Sequence, residues 1–205
     1  PIIGAGIAFL IMLAILWVFR NVPPGKSNRW FKGMQMVSAS IMAFSHGMGD
    51  AQKSMGIIVM AMVAYTTASH LAPGSLLYMD SASMHVPMWV KLSCAAAMAF
   101  GTASGGWRII KTLGHKMIKL QPVHGFAAEA AASTVILTAS SWGVPVSTTH
   151  SISGAIMGVG MTRRLNSVRW DVASQMVFAW VLTIPATALI AYCAEKLLVM
   201  IFPAI

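Results

Sequence analysis

Long apolar stretches separated by short basic stretches dominate the chain. The first, Ile2 to Phe19, contains 18 consecutive uncharged residues, which is enough to cross the hydrocarbon core of a bilayer. The pattern predicts an all-α, polytopic membrane protein with a single transmembrane region. The predicted spans are 2–19, 33–68, 87–104, a helical hairpin at 122–160, and 172–202.

The composition agrees with membrane insertion and accounts for the positive charge. The chain is 57% hydrophobic and 9% charged, whereas soluble domains carry about 25% charged residues. The net charge of +9 comes mainly from the short segments 20–32, 107–120 and 161–171. Because basic segments of this kind stay on the cytoplasmic side of a membrane, we expect all three there. The charge then requires no nucleic-acid partner.

The segment 33–68 is too long for a straight span and carries a polar cluster. Its 36 residues would form a helix of about 54 Å, against a hydrocarbon core of about 30 Å. His46, Asp50 and Lys53 lie in its middle, among three glycines. A charge at membrane depth costs about 2.5–3.5 kcal/mol, so such residues usually face a cavity, an ion path or a partner. We therefore predict a break in the helix near 45–52, with a binding site at the break.

The segment 122–160 has basic residues beyond both ends, which predicts a re-entrant helical hairpin with its tip at 143–150. Ser147, Thr148 and Thr149 form a row of hydroxyls at the start of the second helix. Free backbone N–H groups and the positive end of the helix dipole point the same way there. This combination predicts a site for a tetrahedral oxyanion. An ordinary N-cap is the structural alternative.

Two acidic residues, Asp50 and Glu129, lie deep in apolar segments. A carboxylate repels an anion unless it is protonated or a cation lies between them, so an anion site at Asp50 predicts coupling to H⁺ or Na⁺. The candidates for the coupling ion are Asp50, Glu129, His46 and Lys53. The structural alternatives are a hydrogen bond to a neighbouring helix for Glu129 and an ion pair with Asp50 for Lys53. For His46 the alternative is an ordinary hydrogen bond.

The remaining features predict no further chemistry. Cys94 and Cys193 lie in apolar stretches, so both are expected to be packed thiols without a disulfide or a metal site. The segment 107–120 alternates apolar and basic residues, which predicts an amphipathic helix at the membrane surface. Pro185 predicts a kink in the last span. Because the chain begins inside an apolar span without a Met, we expect a fragment of a longer protein.

Two motifs together resemble the second half of the inorganic phosphate transporter (PiT) family. They are SHGMGDAQKSMGII at 45–58 and GVPVSTTHSISGAIMGVG at 143–160. The segment GFAAEAAAS at 125–133 is also similar to the part of that family before the hairpin. The resemblance extends from about Phe31 to Ile205.

The resemblance implies one repeat, the C-terminal half, of a bacterial low-affinity phosphate symporter built from two inverted repeats. By position, Asp50 matches the motif aspartate and Ser147, Thr148 and Thr149 match the hydroxyl row, which makes these four residues the implied phosphate site. Transport would be driven by H⁺ or Na⁺ without a resident cofactor, and a divalent metal travelling as a metal–phosphate complex is a further expectation. The implied setting is a multi-pass protein of a bacterial inner membrane. Its implied partners are the missing N-terminal repeat and a second copy in a homodimer.

One departure and two alternatives accompany this interpretation. Gly49 stands where the family has an asparagine, so an amide is missing beside Asp50. A transporter or channel for another anion such as sulfate, or for divalent cations, is the first alternative. An intramembrane serine hydrolase using Ser147, His150 and Asp50 is the second, although no nucleophile-elbow pattern surrounds the serine. The interpretation as a transporter predicts that the chain is not an enzyme.

Overall fold

The computed structural model describes residues 1–69, 74–80, 85–118, 120–164 and 167–201. Parts of the predicted loops 107–120 and 161–171, and the end of the predicted span 172–202, lie outside these residues. The described part is helical and contains no strand. Its helices are α1 (Ile2–Val18), α2 (Pro24–Ser69), α3 (Met88–Lys111), a π-helical segment (Thr112–Met117), α4 (Pro122–Ser141), α5 (Thr148–Met161) and α6 (Trp170–Ile201).

Helices α1, α4 and α5 form the packed centre, and α2 lies along α4. Small residues let these helices approach closely. Ala127 and Ala131 of α4 and Ala155 of α5 are fully buried in the same cluster. In α5, a side chain at Gly154 or Gly158 would overlap the backbone of α1. The helix that begins at Thr148 is thus held against α1 through close backbone contacts and against α4 through small side chains.

The α2 helix is continuous, so the predicted break near 45–52 is wrong. Residues 24–69 are helical without interruption, and part of the predicted basic loop 20–32 belongs to the same helix. No proline occurs after Pro24 in this helix. A glycine costs only about 1 kcal/mol relative to alanine in a helix, so the glycines tolerate helical geometry. At 46 residues, α2 is about 69 Å long.

Helix α3 also extends beyond the end of its predicted span at residue 104. The expected surface helix at 107–120 is not a separate element, because α3 runs to Lys111 and continues as the π-helical segment 112–117. Gly105 and Gly106 lie inside α3. A pair of glycines weakens a helix without the steric clash that a proline would introduce, which explains why α3 does not end there.

Helices α4 and α5 are joined by residues 142–147 and pack against each other. The turn begins at Gly143, whose φ of +71° is accessible to glycine at little steric cost. The last helix, α6, continues through Pro185 and is almost wholly exposed. Among the described residues, one helix, α6, is long and apolar enough to cross a membrane by itself. Helix α1 is apolar but shorter.

Candidate functional site

The side chains of Asp50 and Thr148 meet where α2 passes the start of α5. Thr148 Oγ1 donates a hydrogen bond of 3.2 Å to Asp50 Oδ2. Thr148 is buried, whereas the Asp50 side chain retains 31% of its exposure. A residue from each of the two predicted motifs therefore contributes to one site, although the two are 98 positions apart.

Lys53 bridges Asp50 and the turn before α5. Its Nζ lies 3.0 Å from Asp50 Oδ1 and donates a second hydrogen bond, of 2.6 Å, to the carbonyl oxygen of Val146. The expected ion pair between Lys53 and Asp50 is thus present. The additional bond to the carbonyl connects α2 to the turn directly.

His46 lies one helical turn before Asp50 on the same face of α2. Its Nδ1 is 3.7 Å from Asp50 Oδ2, a distance longer than an ordinary hydrogen bond. The continuous helix explains this proximity, because residues four apart are neighbours on a helix surface.

The other two hydroxyls of the predicted row have different surroundings. Ser147 is the N-cap of α5, and its Oγ accepts a hydrogen bond of 3.3 Å from the His150 N–H. Thr149 is exposed. The His150 ring packs against Trp180 of α6, with 4.4 Å between ring centroids. Ser147 Oγ therefore meets the backbone of His150 while the imidazole lies against an indole, which does not support a Ser147–His150–Asp50 triad.

Two neighbouring cavities open between α2 and α3. A cavity of about 490 Å³ is lined by Asp50 and Ser54 from α2 and by Ser93 and Cys94 from α3. A larger cavity of about 730 Å³ is lined mainly by small apolar residues, with His46 and Glu129 among the polar groups. Both cavities include Ala51 in their lining, so Asp50 and His46 face adjacent spaces.

Glu129 is not in contact with Asp50 but lies against a different part of α2. Its Oε2 accepts a hydrogen bond of 2.5 Å from Ser38 Oγ, and Ser38 Oγ also lies 3.1 Å from the carbonyl oxygen of Gln35. The expected bond to a neighbouring helix is therefore present. Glu129 reaches the site only through the larger cavity that it shares with His46.

Gly49, the position of the family asparagine, faces the start of α5. A Cβ atom there would lie 3.6 Å from Ile136 Cγ2 and 3.9 Å from Thr148 Cγ2, which are ordinary van der Waals distances. A side chain at this position would thus start between Ile136 of α4 and the Thr148 methyl group of α5.

The sequence did not indicate Ser38 or the Val146 carbonyl as parts of these contacts. A serine in an apolar helix has no distinctive local pattern, and a backbone carbonyl has none at all. Pro145, which lies in the segment between α4 and α5, is the available signal of irregular backbone there, where carbonyls are free to accept bonds. Within the described residues, no group of three or more His, Cys, Asp or Glu side chains is arranged to hold a metal ion.

Comparison with known proteins gives consistent matches along most of the chain. The model of the Phosphate transporter family matches residues 1–191. A Rhizobium meliloti (strain 1021) protein named "Probable low-affinity inorganic phosphate transporter" is 44% identical over 191 residues, covering 93% of this chain and 54% of the relative. A Bacillus subtilis (strain 168) protein of the same name is 38% identical over 202 residues, covering 98% of this chain and 57% of the relative.

A solved structure, titled "The sodium-dependent phosphate transporter", has the same fold. It aligns with a TM-score of 0.65 at 24% identity, covering 96% of this chain and 55% of that chain. The chain spans about half the length of the curated relatives it matches. The family match over residues 1–191 confirms the resemblance seen in the two motifs, and the chain belongs to the phosphate transporter family.

Proposed function

We propose that this chain forms one half of a multi-pass membrane transporter for inorganic phosphate. The observation that carries the proposal is the hydrogen bond between Asp50 in α2 and Thr148 at the start of α5. It brings the two family motifs together at the N-terminus of α5, beside a carboxylate that lines a cavity. The two relatives described above are both named as probable low-affinity inorganic phosphate transporters, which supports phosphate as the substrate.

Phosphate would bind at the first turn of α5. Thr148 and Thr149 lie in this turn, where backbone N–H groups have no partner within the helix. The positive end of the helix dipole favours an anion there. The hydroxyls of Ser147 and Thr149, both exposed, would donate hydrogen bonds to phosphate oxygens.

The carboxylate of Asp50 would connect binding to an ion gradient. Asp50 and Lys53 together form a neutral pair, so the charge of phosphate itself is left uncompensated and a proton or a cation would accompany the anion. H⁺ and Na⁺ are both compatible with this requirement. His46 and Glu129 line the neighbouring cavity and are the further candidates for a proton or cation path.

The second wall of the site would come from a further repeat of the same protein. Inverted-repeat transporters place their substrate between the repeats near the membrane midplane, and this chain spans about half of its relatives. In this arrangement α4 and α5 enter the bacterial inner membrane from one side as a re-entrant hairpin. The two repeats then move against each other to give alternating access.

Uptake of radiolabelled phosphate by the full-length protein in proteoliposomes tests the proposal. The pH gradient and the Na⁺ gradient are imposed separately, and Asp50→Asn is compared with Asp171→Asn, which changes an exposed aspartate at the start of α6. We expect gradient-driven uptake by the wild type and by Asp171→Asn, and its loss in Asp50→Asn. Normal accumulation by Asp50→Asn would contradict the role of this carboxylate. Strong competition by excess sulfate would favour a different anion as the cargo.

A further inference from the structure

The ammonium group of Lys53 lies at the position where a coupling cation would contact Asp50. The ammonium lies between two oxygens, Asp50 Oδ1 at 3.0 Å and the Val146 carbonyl at 2.6 Å. Carboxylate and carbonyl oxygens are the ligands that hard metal cations use in proteins. The lysine therefore occupies a pair of oxygens that would otherwise suit a metal cation.

The remaining oxygen of Asp50 is also engaged. Oδ2 accepts the hydrogen bond from Thr148, and His46 Nδ1 lies 3.7 Å away. A sodium ion could gain the carboxylate only by displacing an ammonium that is anchored three residues along the same helix. Tethering of this kind gives the ammonium a high effective concentration at its partner. A free monovalent cation competes with it at a disadvantage.

We propose that Lys53 is a tethered cation that replaces Na⁺ at Asp50 and so makes this half of the transporter indifferent to sodium. The inference rests on the proposed phosphate site and specifies its ion selectivity. The ammonium offsets the charge of an ionised Asp50, and because it is covalently attached it does not travel with phosphate. A Na⁺ gradient is then not used through this carboxylate while Lys53 is in place, and H⁺ remains the ion that Asp50 can couple to transport.

The test compares Lys53→Gln with the wild type in the full-length protein. The substitution removes the charge but keeps a polar side chain, and it leaves Asp50 Oδ1 and the Val146 carbonyl open to a cation. Lys32→Gln is the matched control, since Lys32 is an exposed lysine in the same helix, 21 residues earlier and about 32 Å away. Phosphate uptake into proteoliposomes is measured with an inward gradient of Na⁺ or of choline at the same pH on both sides.

We expect wild-type and Lys32→Gln uptake to be the same in Na⁺ and in choline. Uptake by Lys53→Gln should rise about fivefold or more in Na⁺, the lower end of typical coupling between two bound ligands. A wild type stimulated by Na⁺ and unaffected by Lys53→Gln would overturn the inference, as would a Lys53→Gln variant that takes up phosphate without responding to Na⁺.

Sodium binding measured without transport separates this inference from the proposed function. Radiolabelled Na⁺ binding and the Na⁺-dependent change in thermal stability are measured on purified protein, with choline as reference. We expect both effects through Asp50 in Lys53→Gln, and in the wild type no Na⁺ binding that Asp50→Asn removes, whether or not the protein carries phosphate. If Lys53→Gln does not fold, Na⁺ binding to the wild type, compared with Asp50→Asn, is the deciding measurement. Sodium binding to the wild type that disappears in Asp50→Asn contradicts the inference, and its absence agrees with it.

Discussion

The hydroxyl of Ser38 in α2 donates a hydrogen bond of 2.5 Å to the Glu129 carboxylate in α4. Ser38 is 4% exposed, so water cannot readily replace this bond. Removing a donor to a charged or strongly polar group typically costs about 1.5–3 kcal/mol. We expect Ser38→Ala to lower the thermal unfolding temperature of the full-length protein in detergent by several degrees.

Ser40→Ala is the control for this change. Ser40 is exposed on the same helix, and its hydroxyl bonds to the Met36 carbonyl within α2. An exposed substitution of this type usually changes stability by less than about 0.5 kcal/mol. Equal unfolding temperatures for the two variants would show that the Ser38–Glu129 bond does not hold α2 against α4.

Thr148 and Thr149 are adjacent but are predicted to respond differently to valine. Thr148→Val removes the donor to Asp50 Oδ2, so we expect both a lower unfolding temperature and weaker phosphate uptake. Thr149 is exposed, so Thr149→Val should raise the KM for phosphate without changing thermal stability. Uptake kinetics and thermal unfolding of the same preparations check both statements. An unchanged KM in Thr149→Val would remove this hydroxyl from the proposed phosphate site.

The turn between α4 and α5 is marked in the sequence by residues that restrict the backbone. The predicted hairpin tip at 143–150 overlaps the observed turn at 142–147 because Gly143 and Pro145 limit the backbone there. The prediction of a break in α2 is wrong because a length beyond the thickness of the hydrocarbon core and a polar centre do not by themselves interrupt a helix. Asp50 and Lys53 instead find partners across the site, which offsets the cost of keeping them in a regular helix.

The sequence indicates which residues belong to the candidate site but only some of the contacts between them. Asp50 and the hydroxyl row stand out because polar groups are rare in apolar segments. Their pairing through Thr148 rather than Ser147 depends on how α5 is turned against α2, which packing decides. The bonds from Ser38 to Glu129 and from Lys53 to Val146 join residues more than 90 positions apart. No local pattern specifies such pairs.

Gly49→Asn restores the amide that the family motif has beside the aspartate. The site has room for a Cβ, with the nearest atom, Ile136 Cγ2, at 3.6 Å, and asparagine is a slightly better helix former than glycine. We expect the variant to fold with unchanged or slightly higher stability and to have a lower KM for phosphate. Gly49→Ala supplies the Cβ without the amide and is the control. If both variants have the same KM, the amide adds nothing to binding in this protein.

Close backbone packing between α1 and α5 gives a prediction that depends on stability alone. A Cβ atom at Gly158 would overlap the Ala5 carbonyl oxygen and lie 2.8 Å from Ala5 Cα. Because these are backbone atoms, the helices must separate to accept an alanine, and overpacking of this kind costs about 1–3 kcal/mol. Gly158→Ala should therefore lower the thermal unfolding temperature.

Gly6→Ala is the control, since Gly6 in α1 is exposed and no atom lies within 4 Å of its Cβ position. There the better helix propensity of alanine, worth up to about 1 kcal/mol, should leave stability unchanged or raised. If thermal unfolding instead shows the same change in both variants, helix propensity rather than the contact with α1 determines how α5 tolerates a side chain.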